Sequence, residues 1–365
     1  MRTVLATIAA IVALPLVLSA IIIAAPFRAV AGATARLARR LEPPAHRWDE
    51  LTEYHAEVGW KPKPNLVTHA LDFNGEPFHV VTDDEGWRGS GTVAASEVVV
   101  FGDSFAFGNA IDEEAFFANL RGAVRIKAIG APGYNMVQSL WWMERTGPQL
   151  AGKNVVWLLY PANDLEDNLR PQMKGYRTPF VRESDTGGWE IVTEHVRREP
   201  WAFPLRRPNT EYFIEICRPS YLSQRVFSAC AFLLERAAAV CQKHGARLTV
   251  MTIPDLSAMN QRIYAGLLED SGIEDYDPDL PDRRIGQLAE RLAVPFLALK
   301  DHLEPEDYLT EDVHWNARGH RHVAAVLRDL AQGKIARPER VVTRGSVDAA
   351  GPVLGKGRRS EPTVA

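Results

Sequence analysis

Five short apolar runs recur along the chain, each followed by a longer stretch in which apolar residues return at helical spacing. The runs are Glu97 to Phe101, Val124 to Ile129, Val155 to Tyr160, Leu248 to Ile253 and Pro295 to Leu299. They are nearly continuous and mostly apolar, the pattern of strands covered on both faces in a parallel sheet. Glu113 to Leu120, Met136 to Arg145, Leu222 to Lys243 and Pro281 to Ala293 read as crossover helices, and Ala317 to Leu330 closes the series. In the longest, Val226, Cys230, Leu233, Leu234, Ala237, Val240 and Cys241 mark the core face, and Gly245 stops the helix just before a strand. The alternation predicts a doubly wound α/β domain over residues 96–332, with ligands expected at the carboxyl ends of its strands.

The flanks read differently. No charged residue occurs between Arg2 and Arg28, and as a helix the stretch Thr3 to Phe27 would span about 37 Å, against a hydrocarbon core of about 30 Å. Residues 1–27 are therefore expected to be a membrane anchor or signal. One transmembrane helix is the leading reading; a cleaved signal peptide competes, since small-x-small sites follow at Ala29-Val30-Ala31 and Ala33-Thr34-Ala35. Residues 28–45 read as a stalk, with Arg28, Arg36, Arg39 and Arg40 ahead of a Pro43-Pro44 stop. Residues 46–95 read as a turn-rich β region, punctuated by Gly59-Trp60, Asn74-Gly75 and Gly86-Trp87-Arg88-Gly89. Residues 165–220 are too long for a simple connection and read as an insertion, either a substrate-facing cap or a surface excursion. From Gly333 onward there is no periodicity, and 333–365 is expected to be a disordered tail.

Composition removes some classes of function. The 42 Lys+Arg and 46 Asp+Glu give a net charge of −4, which argues against a nucleic-acid binder driven by bulk basic charge and against a disordered acidic chain. Three cysteines allow at most one bridge, Cys217 with Cys230 being the candidate, and leave the redox compartment undetermined.

The residues with chemistry to offer stand at the predicted strand ends. Gly102-Asp103-Ser104-Phe105 follows the first strand, where a serine entering a helix meets unpaired backbone N–H groups suited to an oxyanion. By itself such a serine or aspartate is more often just an N-cap. Gly130-Ala131-Pro132-Gly133-Tyr134-Asn135 follows the second strand, Pro161-Ala162-Asn163-Asp164 the third, and Glu311-Asp312-Val313-His314-Trp315-Asn316 lies beyond the fifth. A parallel sheet brings these loops to one edge. There Gly133 would present an unobstructed backbone N–H, Asn163 a side-chain amide, and His314 the base that a serine hydroxyl needs at neutral pH. Asp312 would orient that base.

These four blocks, in this order, resemble the SGNH (GDSL-type) hydrolase superfamily over roughly residues 96–330. The resemblance implies a flavodoxin-like three-layer α/β/α domain with a parallel sheet and a nucleophile at Ser104. It implies an oxyanion hole from the backbone N–H groups of Ser104 and Gly133 with the Asn163 side chain, and ester or acyl-transfer chemistry with no cofactor and no metal. Pro161 departs from the family's Gly-x-Asn-Asp block. The family's acid usually stands three residues before the histidine, at Glu311 here, whereas Asp312 stands two before. Asp312 is taken as the orienting acid and Glu311 as the fallback. The Asp-x-His-Trp spacing resembles the branch that includes alginate O-acetyltransferases.

Other candidates carry less. His320 and His322 open a helix and read as solvated, with no convergent set of zinc ligands. Asp103 and Asp164 read as loop-shaping acceptors. Trp141, Trp142, Tyr134, Trp189 and Trp201 are candidates for a sugar-stacking surface or for core packing. Arg170, Arg177, Arg206 and Arg207 would suit an anionic or polar substrate better than a lipid chain. The expectation is a membrane-anchored serine esterase or acylhydrolase acting on O-acyl groups of a glycan or other envelope substrate. A polysaccharide O-acetyltransferase and a non-catalytic carbohydrate-binding or assembly protein are the alternatives. The arginines after Phe27 would hold the domain in the cytoplasm by the positive-inside rule, whereas the resembled branch implies a periplasmic or extracellular domain, the reading adopted.

Overall fold

The computed structural model describes residues 48–335, apart from 73, 90, 123, 195, 199–208, 274–275 and 311. The expected anchor, the stalk to residue 45 and the tail beyond 335 lie outside the described residues. Among the described residues, no helix is long and apolar enough to cross a membrane.

After a helical turn at Trp48–Leu51, the turn-rich region forms two antiparallel hairpins. Strand β1 (Thr52–His55) pairs with β2 (Gly59–Pro62), and β3 (Val67–Leu71) pairs with β4 (Pro77–Val81). Their apolar residues find cover on the α/β unit: Val58 and Trp60 pack with Ala131 and Tyr134, while Leu51, Phe78 and Val80 pack with Phe107. Two buried cations cross-link the same regions. Arg88 reaches the Glu113 carboxylate at 3.0 Å and the carbonyls of Phe107, Gly108 and Ile111. Lys127 reaches Asp83 at 2.6 Å.

The central sheet begins with β5 (Val98–Gly102), which leads into α1 (Ser104–Phe107). There follow β6 (Ile126–Gly130), α2 (Met136–Thr146), β7 (Asn154–Leu159) and α3 (Pro161–Asp167). The stretch from 168 to 220 holds short strands β8 (Gln172–Met173), β9 (Tyr176–Arg177), β10 (Phe180–Glu183), β11 (Trp189–Val192) and β12 (Arg197–Arg198), then α4 (Asn209–Ile216). The α/β alternation resumes with α5 (Tyr221–Lys243), β13 (Arg247–Thr252), α6 (Gln261–Ser271), α7 (Leu280–Arg291), β14 (Phe296–Ala298) and α8 (Ala317–Ala331).

All five central strands run parallel in the order β14-β13-β7-β5-β6. Numbered within the sheet, that is 2-1-3-4-5, the flavodoxin-like order, in which ligands bind where the strand order reverses, beyond β5 and its neighbour β7. Every residue of β5, β6 and β7 is buried, which accounts for their continuous apolar runs. Helices α2, α5 and α7 pack side by side, while α8 meets the β5–β6 crossover, with His320 stacked on Phe117. Right-handed crossovers put these two groups on opposite faces.

Two expectations need correction. Residues 113–120 form successive turns, not a helix. Phe116 and Phe117, adjacent in sequence, are both wholly buried, and Glu113 spends its carboxylate on Arg88, the Val81 N–H and Asn119. A single-faced helix cannot serve those demands together. The three cysteines are all free and buried, so Cys217 and Cys230 form no bridge. Cys230 and Cys241 lie on the core face of α5, and burial pushes both thiols up to about 12.

Candidate active site

The parallel sheet delivers Ser104 directly. Strand β5 ends at Gly102, where a Cβ would lie 2.8 Å from the Leu158 carbonyl, so the chain turns into α1 in close contact with β7. Asp103 caps α1 by accepting the Phe105 N–H at 3.0 Å. Gly108 ends the helix at a φ of 74°, and a Cβ there would run into the Phe116 ring. Ser104 is thus the first residue of a one-turn helix clamped at both ends.

His314 arrives from the other end of the domain. Its nitrogen Nε2 lies 2.8 Å from Ser104 Oγ, and Nδ1 lies 2.7 Å from Asp312 Oδ1. The same carboxylate oxygen accepts the His314 backbone N–H at 3.1 Å. The loop is fixed by Asn316, which caps α8 and donates to the carbonyls of Glu306 and Tyr308, and by the bridge between Tyr308 and Trp315. Phe105 packs against His314 and Trp315, each at 4.8 Å between ring centres, and against Tyr160 at 5.0 Å. Burial alone would push the Asp312 carboxyl up, but the hydrogen bonds and charge of His314 outweigh it and hold the carboxyl below its ordinary value. Asp312 is therefore the ionised partner of His314; Glu311, the fallback, lies outside the described residues.

The other two blocks meet Ser104 at the same edge. Gly133 sits at a φ of 78°, in a turn closed by the Tyr134 N–H on the Ala131 carbonyl, ahead of the Asn135–Gln138 capping box of α2. Asn163 donates Nδ2 to Asp103 at 3.2 Å. An amide nitrogen carries two hydrogens, so this bond leaves the second able to meet an oxygen beside Ser104. Pro161 reshapes its block into helix: it occupies the first turn of α3, where a missing N–H costs nothing, and Asp164 accepts the Tyr160 N–H at 2.8 Å. Burial raises the carboxyls of both Asp103 and Asp164, and their proximity raises Asp164 further.

The remaining candidates take structural places. Tyr134 is buried and donates to the Trp60 carbonyl, and Trp142 donates to the Tyr134 hydroxyl, so these two rings pack the hairpin β1–β2 onto α2. Trp189 donates to Ser228, Trp141 lies edge-on to Trp142, and Trp201 is outside the described residues. Arg170 is paired with Glu166 and Asp167, Arg177 lies in β9, and Arg206 and Arg207 are outside the described residues. The reading of His320 as solvated is overturned: it is buried against Phe116, Phe117 and Trp315, and burial, helped by the charge of Arg88, pushes its pKa down to about 3. His322 bonds to Asp307. Among the described residues, no three His, Cys, Asp or Glu side chains converge as metal ligands.

Sequence reading missed Arg88 and Lys174. The Arg88 role had a faint signal in Gly-Trp-Arg-Gly, a charged residue among turn formers. Lys174 sits in a short turn of the insertion and had none.

No known protein family matches the chain, and no curated protein does. Among solved structures, one similar to it is a GDSL-like lipase from Bacteroides thetaiotaomicron, 16% identical, with a TM-score of 0.36 over 65% of this chain and 88% of that one. Another is TesA, 12% identical, with a TM-score of 0.36 over 64% of this chain and 97% of that one. A third is an alpha/beta hydrolase from the metagenome of Lake Arreo, 13% identical, with a TM-score of 0.35 over 66% and 95%. At these scores the likenesses lend no weight to the site, which stands on its own distances.

Proposed function

We propose that this protein is a serine esterase or acylhydrolase of the SGNH type, acting on ester-linked acyl groups. The observation that carries the reading is the unbroken hydrogen-bond chain from Ser104 Oγ to His314 Nε2 and from His314 Nδ1 to Asp312. Ser104 attacks the acyl carbonyl while its proton passes to His314, and Asp312 stabilises the imidazolium. The carbonyl oxygen gains negative charge, met by the backbone N–H groups of Ser104 and Gly133 and the Asn163 amide. The C–O bond to the alcohol then breaks, His314 returns the proton to the departing oxygen, and an acyl-Ser104 remains. Water activated by His314 releases the acid. A sugar hydroxyl in place of water would make the enzyme an O-acyltransferase, a second reading favoured by the Asp312-x-His314-Trp315 spacing.

The full-length protein is expected to release p-nitrophenol from p-nitrophenyl acetate, and Ser104→Ala to lower kcat/KM by at least about a thousandfold. Equal rates for the two proteins would overturn the reading. Glycan binding that survives Ser104→Ala, with no acyl adduct on Ser104 by mass spectrometry, would favour a carbohydrate-binding protein instead. Acyl groups carried by an envelope carbohydrate are the proposed substrates, reached by a domain held outside the membrane by residues 1–27. An alkaline phosphatase fusion at the C-terminus tests that placement, since an inactive fusion would put the domain in the cytoplasm.

A further inference from the structure

The insertion places a cation on the oxyanion glycine. Strands β8 and β9 pair Gln172 with Arg177 and Met173 with Tyr176, leaving only Lys174 and Gly175 to turn the chain. Both turn residues have positive φ, 50° and 80°, a combination that ordinarily selects Asn, Asp or Gly at the first position. A lysine there is uncommon, and backbone held in this region clusters at sites that clamp ligands. The hairpin is anchored under the turn by buried Met173 and Tyr176, the latter 5.5 Å from Trp60 between ring centres. The turn itself is thus held in one place.

That place is Gly133. A Cβ built on Gly133 would lie 2.5 Å from Lys174 Cε and 2.7 Å from Nζ, so the lysine stem crosses the bare Cα and its ammonium donates to the Pro132 carbonyl at 3.2 Å. Outward along the same small sheet, β12 sets Arg197 opposite Arg177 and Arg198 opposite Tyr176.

We propose that Lys174 is a specificity-determining residue that binds an anionic group on the ester substrate, a carboxylate or phosphate borne close to the scissile acyl carbonyl. The proposal rests on the esterase reading for the meaning of Gly133, since it is the oxyanion there that sets where the substrate lies. It narrows the substrate class from esters in general to anionic esters.

The test compares p-nitrophenyl acetate with mono-p-nitrophenyl glutarate, which carries a carboxylate on its acyl half, in the full-length protein. Lys174→Met is expected to lower the ratio of kcat/KM for the anionic over the neutral ester by about tenfold, chiefly through KM, and Lys174→Arg to restore most of it. The wild-type ratio is expected to fall as NaCl is raised from 50 to 500 mM, because a partly exposed charge is screened. A ratio unmoved by Lys174→Met would overturn the proposal. Failure of the esterase reading is read separately, in the Ser104→Ala protein, where no turnover interferes. Calorimetry with monomethyl glutarate and methyl butyrate should there show tighter binding of the anion, lost in Ser104→Ala/Lys174→Met; equal binding of the two esters would again overturn it.

Discussion

The sheet edge that carries Ser104 and the insertion that carries Lys174 face the same glycine, yet they are built on different principles. At the sheet edge, position follows from the backbone. Five parallel strands in hydrogen-bonded register deliver Ser104, Gly133 and Asn163 to one side, and each block begins within a few residues of a buried strand. In the insertion, strands of two to four residues cannot hold themselves, and side chains do the holding. Asn135 donates to the carbonyls of Asp167 and Pro179, the Met136 N–H bonds to Asn168, and the Val181 N–H bonds to the Asn168 carbonyl. A ladder tolerates many side chains; a stitched flap depends on the few that stitch it. The N-terminal hairpins follow the second principle too, with Arg88 as their stitch.

The largest expected effect lies at the backbone-determined edge. Ser104→Ala should lower the proposed esterase turnover by the factor given above while leaving the thermal melt unchanged, since the hydroxyl takes no part in the strand ladder. Asn163→Ala should come next, lowering kcat by roughly a hundredfold or more with little change in KM, the signature of a donor used in the transition state. Loss of KM alone would remove Asn163 from the oxyanion site.

Arg88→Ala tests the stitched side. It deprives several carbonyls and Glu113 of their partner in a buried place and should cost about 3 kcal/mol in urea unfolding. Because Arg88 holds the carbonyls of Phe107 and Gly108 at the end of α1, activity should fall as well, by less than in Ser104→Ala. A variant with full stability would show that the hairpins are not held this way.

The smallest effect concerns His320, whose ring lies among the aromatic residues behind the His314 loop. Its pKa is about 3 in the fold and about 6.5 in an unfolded chain, so the unfolded state binds the extra proton between these values. Stability supported by the neutral ring is whole above about pH 6.5 and is lost as pH falls toward 3, by up to about 1.4 kcal/mol per pH unit. His320→Leu should therefore lose less stability than the wild type between pH 6.5 and 5. Parallel pH profiles for the two proteins would mean that the ring is not held neutral.

The two principles also explain what could be read in advance. Ser104, Gly133, Asn163, Asp312 and His314 could be named as candidates because each stands just past an apolar run, or in a block whose neighbours dictate its turn. The helices 136–146, 221–243, 280–291 and 317–331 were legible from spacing and caps, to within about two residues at most ends. The helix expected at 113–120 was not there, because the Glu113 carboxylate is drawn to Arg88, 25 positions earlier in the chain, a contact that no local pattern encodes. His320 was misjudged for the same reason: a histidine in the first turn of a helix looks solvated until Phe116 and Phe117 close over it. Pro161 looked like a damaged loop and proved to be a helix start.

The sequence by itself determined that strands and helices alternate, that the sheet is parallel, and that a serine, a glycine, an asparagine and a histidine stand at strand ends or in a closing loop. Those are short-range properties, set by periodicity, caps and the steric needs of glycine. Only the tertiary structure decided that His314 reaches Ser104 across 210 positions of chain, that Asp312 takes the orienting place beside it, and that Lys174 lies over Gly133. Such contacts are settled by how whole elements pack, because a side chain's neighbours across the fold are chosen by the shape of the buried core and leave no mark in the residues on either side of it.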